Sequence, residues 1–421
     1  MKLKQTIAAA LGALVLLPAT TCAAGVQRPR PNEVPAAQSA IAPNDLQLYN
    51  DYTTPERTYS AERVVVHYVV LGIDAPPLND DDADGVPDYV ERVGLAADRA
   101  LAYYERRGFN LPLADNGGPD TRPDLYVSRF APGTLGVAFP AAAAAGGGFA
   151  VVSNNLDPSA ERSFASVYAT VAHELFHLVQ FSYFPRGTEP VIPTWILEGT
   201  AVALEARVDP ELDDLVSELQ LRRWFSATQD SITTQSYGTH LFWRLLDVAQ
   251  PRLLPALFRH LAERPVAGEG ERVVAATYVR ISGKPFPPAF HRFAVSVAAD
   301  HAEAIRPVFN LQAGAARHAV VAPLAVHYVR LALPHRGAYS LKVTFARGVR
   351  GAFAALTYEL ESDVAGGPPR PRRIAGRRSD GGRTLTFIVP AVLRANPRLA
   401  NPLLVVSNGG GRPVSYAVCA R

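Results

Sequence analysis

The stretch Ser163 to Phe184, SFASVYATVAHELFHLVQFSYF, decides how the rest of the chain is read. Val167, Tyr168, Val171, Leu175, Phe176, Leu178, Val179 and Phe181 point in every helical direction and leave no polar face, so a buried helix is expected. Into it are set His173, Glu174 and His177, within Ala172-His173-Glu174-Leu175-Phe176-His177. Polar groups in such a helix are costly to desolvate unless something satisfies them. Residues four apart share a helix face with Cβ atoms about 5–6 Å apart, so His173 and His177 can offer imidazole nitrogens to one ion; a tetrahedral zinc accepts that pair. Glu174 is turned about 100° from His173, near enough to reach a water beside such an ion without ligating it, which is where a general base belongs. The plain alternative is core residues with local partners.

A zinc ion that does chemistry needs a third protein ligand and one open position. Trp195-Ile196-Leu197-Glu198-Gly199-Thr200-Ala201 supplies Glu198, expected on the next helix, and the turn from Pro185 to Pro193 lets that helix fold back. The two segments resemble the gluzincin metallopeptidases, in which an H-E-x-x-H helix is followed by a second helix with a Glu-Gly motif. The resemblance implies that His173, His177 and Glu198 bind zinc and that Glu174 is the base. Asp84-Gly85-Val86-Pro87-Asp88-Tyr89-Val90-Glu91, upstream of Ala172-His173-Glu174 and Gln180, is more narrowly similar to a family of bacterial metalloproteases assigned as secreted. Where gluzincins often carry an Asp that orients a zinc His, this chain has Val202. Glu205, two turns after Glu198, is either its replacement or a solvated helix residue. Tyr237, in Gln235-Ser236-Tyr237-Gly238-Thr239-His240, resembles the Tyr that related enzymes place after the third ligand to support an oxyanion. His240 is its rival, and a packing role for Tyr237 stays open.

An acidic segment follows a second metal pattern. Asp80, Asp82 and Asp84 alternate, Gly85 is sixth, Val86 offers a carbonyl, Asp88 is ninth and Glu91 twelfth, matching a twelve-residue calcium loop. No helical pattern precedes it, so a lone strand-loop-helix calcium site of structural use is expected rather than a paired sensor. A solvated turn whose Asp88 and Glu91 favour the first helical turn is the alternative.

The rest of the chain sets the context. Hydrophobic residues make up 48% of 421, enough for a large core, and 42 cations against 39 anions give no reason to expect nucleic acid as partner. Lys2 and Lys4, the apolar run Ile7 to Leu17 and the small residues to Ala24 read as a secretory signal over 1–24, too short to span a membrane. A lipoprotein cut before Cys22 is the runner-up; otherwise Cys419 alone remains and no internal disulfide forms. A Pro- and Ala-rich leader over 25–60 is expected, then a metallopeptidase domain over 61–309. Period-two alternation at Tyr339 to Phe345, Thr384 to Val389 and Val414 to Val418 predicts a β-sandwich over 310–421. The fold class is therefore α+β: a zincin-like catalytic domain with an active-site helix, followed by an all-β antiparallel sandwich. Phe149 to Asn154 is read as either an edge strand beside the cleft or a core strand. Arg370, Arg372, Arg373, Arg377, Arg378 and Arg383 read as a basic, solvated loop. The expectation is a secreted zinc endopeptidase with a protein or peptide substrate and a structural calcium ion. A calcium-stabilised surface-binding protein and a zinc hydrolase of cell-wall amides are the alternatives.

Overall fold

The computed structural model describes residues 56–112, 121–130, 134–140, 147–156, 167–184, 192–208, 222, 224–263, 270–332, 339–360, 370–390 and 399–421. The expected signal segment, most of the expected leader, residues 163–166 and residues 185–191 of the expected turn lie outside them. The chain is α+β and divides into two compact units: the described residues of Met1–Glu218 with Leu246–Gly270, and those of Leu219–Leu245 with Glu271–Arg421.

The first unit is built on a mixed five-stranded sheet of β1 (Arg57–Ser60), β2 (Val65–Tyr68), β3 (Asp124–Ser128), β4 (Gly136–Pro140) and β5 (Gly148–Ser153), in the order β1-β2-β3-β5-β4. β2, β3 and β5 run parallel, and β1 and β4 pair antiparallel at the two edges. β5, offered above as an edge or a core strand, is thus interior. All six of its residues are buried, as a strand covered on both faces requires. The edge is β4.

Helix α1 (Asp88–Arg106) buries Tyr89, Val90, Val93, Ala96, Ala97, Ala100, Leu101 and Tyr104 at spacings of three and four. Asp88 and Glu91 in its first turn and Arg106 in its last complement the helix dipole. Helix α2 (Val167–Phe181) is buried at every residue but His173 and packs on α1, β4, β5 and α3 (Thr194–Val208). The chain returns to this unit at the end of α4 (His240–Ala249) and in α5 (Leu253–Glu263). Beneath α2, Phe176 meets the rings of Tyr104, Phe109 and Phe258 at centroid distances of 5.1, 5.2 and 5.9 Å. This aromatic cluster holds α2 rigidly by its lower face.

In the second unit, α6 (Gly270–Ser282) and α7 (Phe286–Asp300) precede ten strands. These are β6 (Phe309–Gln312), β7 (Ala316–Val321), β8 (Ala325–Ala332), β9 (Tyr339–Phe345), β10 (Ala352–Leu360), β11 (Arg370–Ile374), β12 (Arg377–Ser379), β13 (Thr384–Val389), β14 (Leu399–Asn408) and β15 (Val414–Ala420). They form two sheets, β11-β10-β14-β8-β6 and β12-β13-β9-β15-β7, around a core that includes Leu341, Val343, Leu356, Leu404 and Val418. Two features depart from the sequence expectation. β6 pairs parallel with β8, so the sheets are not wholly antiparallel. The compact unit also begins at Glu271, with Leu219–Leu245 added, rather than at 310. The reason is α7, which covers β10 and β14; its Ala294 carbonyl accepts from Tyr328 Oη at 2.9 Å. β8 in the first sheet is consequently buried on both faces along most of its length, whereas β9 alternates buried with more accessible residues.

The expected basic loop is mostly strand. Arg370, Arg372 and Arg373 lie on β11 and Arg377 and Arg378 on β12, each an edge strand of its sheet. Charge and Pro371 on an edge oppose pairing with another chain's strand, which accounts for the composition.

Candidate metal centre

α2 and α3 lie side by side and bring His173, His177 and Glu198 to one point. His173 Nε2 is 3.0 Å from His177 Nε2 and 3.2 Å from Glu198 Oε2, and His177 Nε2 is 3.5 Å from the same oxygen. Zinc bonds of about 2.0–2.1 Å in a tetrahedron space ligand atoms about 3.3–3.4 Å apart, so the triangle has the size of one face of such a site.

Tautomers support the fit. His173 Nδ1 is hydrogen-bonded to Glu205 Oε1, and an ionised carboxylate only accepts. A ring proton therefore sits on Nδ1, and in the neutral form of the ring the lone pair is on Nε2, facing the triangle. His177 Nδ1 lies 2.7 Å from Gln180 Oε1. Electron-rich atoms this close need a cation or protons between them. Glu205, left open above between ring partner and solvated residue, is buried and bonded to His173.

The electrostatics follow from burial and these partners. Burial alone would lower the pKa of His173, but the carboxylates of Glu205 and Glu198 raise it well above the ordinary imidazole value. His177 is raised in the same way, chiefly by Glu198. For Glu198, burial acts to raise the pKa, and the two imidazoles overcome it and hold the carboxyl far below its usual range. Glu174 goes the other way: burial raises it against the opposing pull of His173 and His177. A buried carboxylate raised toward neutrality suits a group that must both take and return a proton.

Glu174 owes its position to a neighbour the sequence reading missed. A Cβ on Gly136, at the start of β4, would lie 2.6 Å from Glu174 Cγ and 2.9 Å from its Oε1. The edge strand therefore passes hard against the carboxylate, and any larger residue there would push the Glu174 side chain aside. Gln180 and Thr200 stood in the quoted motifs, but their roles were not read from the sequence. Gln180 Nε2 donates to the Leu197 carbonyl at 2.8 Å and to Thr200 Oγ1 at 2.9 Å. The available signal was a lone amide three residues after His177 in an apolar run, since a buried amide must find partners.

Asp80, Asp82 and Asp84 also converge, each offering an oxygen within 4.8 Å of the others. Asp80 accepts from the Asp84 and Gly85 amides at 3.2 and 2.9 Å, and Asp84 accepts from Val86 N at 2.8 Å. Gly85 turns the loop at φ +92°, a value that favours glycine. Asp88 accepts from Asp81 N at 3.1 Å. The pKa of Glu91 is raised by partial burial and then by the charges of Asp84, Asp82, Asp88 and Asp80, but among the described residues only Asp80, Asp82 and Asp84 converge on one point. Carboxylates so gathered fit an oxygen-seeking cation such as calcium.

Tyr237 opens a short 3-10 turn, Tyr237–Thr239, and its carbonyl lies 3.2 Å from His240 Nδ1. His240 is buried, and that burial takes its pKa down to about 4, so the ring is neutral and donates through Nδ1. Both residues belong to the second unit, whereas His173, Glu174, His177 and Glu198 belong to the first.

Among the described residues no helix is long and apolar enough to cross a membrane. No protein-family model matches the chain, and no curated protein matches it. Among solved structures it is similar to the pre-peptidase C-terminal domain of a collagenase from Bacillus anthracis. That match has 11% identity and a TM-score of 0.19 and covers 28% of this chain and 97% of that one; at this score it carries no argument about fold or function.

Proposed function

We propose that this chain is a secreted zinc endopeptidase of gluzincin type, with a zincin-like catalytic unit and a calcium-stabilised loop at the start of α1. The observation that carries the reading is the triangle of His173 Nε2, His177 Nε2 and Glu198 Oε2, with buried Glu174 on the same helix. A zinc ion held there would polarise a carbonyl and acidify a water. Glu174 takes that water's proton during attack on the scissile carbon and delivers it to the leaving amine, so C–N cleavage releases a neutral amine and a carboxylic acid. The peptide is placed by β4, an antiparallel edge strand beside Glu174, to which an extended chain can add by main-chain hydrogen bonds. Secretion rests on the signal-like segment 1–24.

The test is cleavage of a mixed peptide library by the full chain with zinc and calcium present, comparing wild type with Glu174→Gln. Loss of a positioned base costs about 10²–10⁴-fold, so the variant should keep its zinc and lose most turnover. Equal turnover in the two proteins, or none in zinc-loaded wild type, would refute the proposal.

A further inference from the structure

We infer that Gln180 is the positioning residue that assembles the ligand set, fixing the tautomer of His177 and the placement of Glu198 through one amide. The inference deepens the zinc reading above but rests on hydrogen bonds that exist without the ion. Gln180 is fully buried. Its Nε2 donates to the carbonyl of Leu197, a group that can only accept, so the amide has one allowed orientation. Its Oε1 must then face His177 Nδ1. An acceptor at that atom requires a ring proton on Nδ1, so the neutral ring keeps its lone pair on Nε2, the atom that enters the ligand triangle.

The nitrogen end of the same amide holds α3. Its two contacts, Leu197 and Thr200, bracket Glu198 in sequence. Thr200 Oγ1 donates its own proton to the Ile196 carbonyl at 2.7 Å, so it receives the amide N–H with a lone pair. The Leu197 and Ile196 carbonyls, which can only accept, thus set the roles of the amide and the hydroxyl. Gln180 on α2 thus serves one ligand on its own helix and another on the next. Glu205 completes the arrangement from the opposite direction, reaching from α3 to His173 on α2.

Gln180→Glu keeps the shape and removes both donors, turning an anionic acceptor toward the Leu197 carbonyl. Zinc dissociation constants can be measured on the full chain by competition with a chromophoric chelator, for wild type, Gln180→Glu, Gln180→Ala and Thr200→Ser. Cobalt(II) absorption reports the ligand geometry in each. Partners behind metal-bound imidazoles typically control about 10- to 100-fold in affinity, and that loss, with an altered cobalt spectrum, is expected for both Gln180 variants. Thr200→Ser keeps the hydroxyl and should stay close to wild type. Nitrogen NMR of metal-free wild type in alkaline buffer should show His177 protonated at Nδ1, a result that needs no variant to fold. Zinc bound equally tightly by both Gln180 variants with an unchanged cobalt spectrum, or His177 protonated at Nε2, would overturn the inference. Wild type that binds no zinc would refute the proposed function, while the tautomer would still decide the role of Gln180.

Discussion

Replacing Gly136 with Ala places a methyl group where the Glu174 side chain already sits. The added carbon would be 2.6 Å from Cγ, 2.9 Å from Oε1 and 3.0 Å from Cδ of Glu174, and these are the three nearest atoms. Carbon atoms rest at about 3.5–4.0 Å, so one partner must give by about 1 Å. β4 is held by its register with β5, in which Gly136 faces Val152, and α2 is packed on its lower face by the Phe176 cluster. The carboxylate is therefore the part that yields. A displacement of about 1 Å in a reacting group costs about 10²-fold in rate, equivalent to about 2.7 kcal/mol of transition-state stabilisation. Overpacking should also cost about 1–3 kcal/mol of stability. The assay is kcat/KM on a fluorogenic peptide, alongside zinc affinity and thermal unfolding. A hundredfold loss of kcat/KM with zinc affinity kept is the expected result. Wild-type kcat/KM and an unchanged melting temperature would refute the placement of Glu174 against β4 and its role as base.

Other consequences follow from the same contacts. Phe176→Ala removes a fully buried ring at the meeting point of α1, α2 and α5 and should cost about 3–5 kcal/mol in denaturant unfolding; a loss below about 1 kcal/mol would contradict the packing. Calcium should raise the melting temperature of wild type, and Asp80→Asn with Asp84→Asn should abolish that shift; saturation at about 100 times Kd corresponds to about 2.7 kcal/mol. Without metal, the raised imidazoles of His173 and His177 stabilise the fold fully below their ordinary pKa of about 6.5 and lose that contribution as pH rises through their folded values. The lowered Glu198 stabilises above the ordinary carboxylate value and is lost on strong acidification. Metal-free melting temperature should thus fall on the alkaline side, while zinc affinity should weaken on the acid side as protons compete for the imidazoles. A flat alkaline limb in metal-free protein would contradict these couplings.

The helix carrying His173 and His177 was legible because its signal is local: an apolar run at every angle with three polar residues whose spacing follows from helical pitch. Glu198 was legible from a short motif one turn-and-helix away. The role of Glu205 required knowing how α3 faces α2, which spacing alone left between two readings. Gly136 was not legible, because its importance arises where β4, distant in sequence, meets Glu174. The same long-range pairing put β4 rather than β5 at the sheet edge. In the second unit, alternation located strands, but burial of β8 and β14 on both faces hid their need for a covering helix, and α7 supplies it from before residue 310. The arginines of β11 and β12 looked like a loop because Pro and charge suit both loops and exposed sheet edges.

The most direct test of the zinc centre is X-ray absorption at the zinc edge on the full chain loaded with one equivalent of metal. The account predicts two imidazole nitrogens and oxygen donors at about 2.0–2.1 Å, from Glu198 and one water, with the imidazole signal reduced in His177→Ala. A sulfur donor, a third imidazole, or a spectrum unchanged by His177→Ala would contradict it.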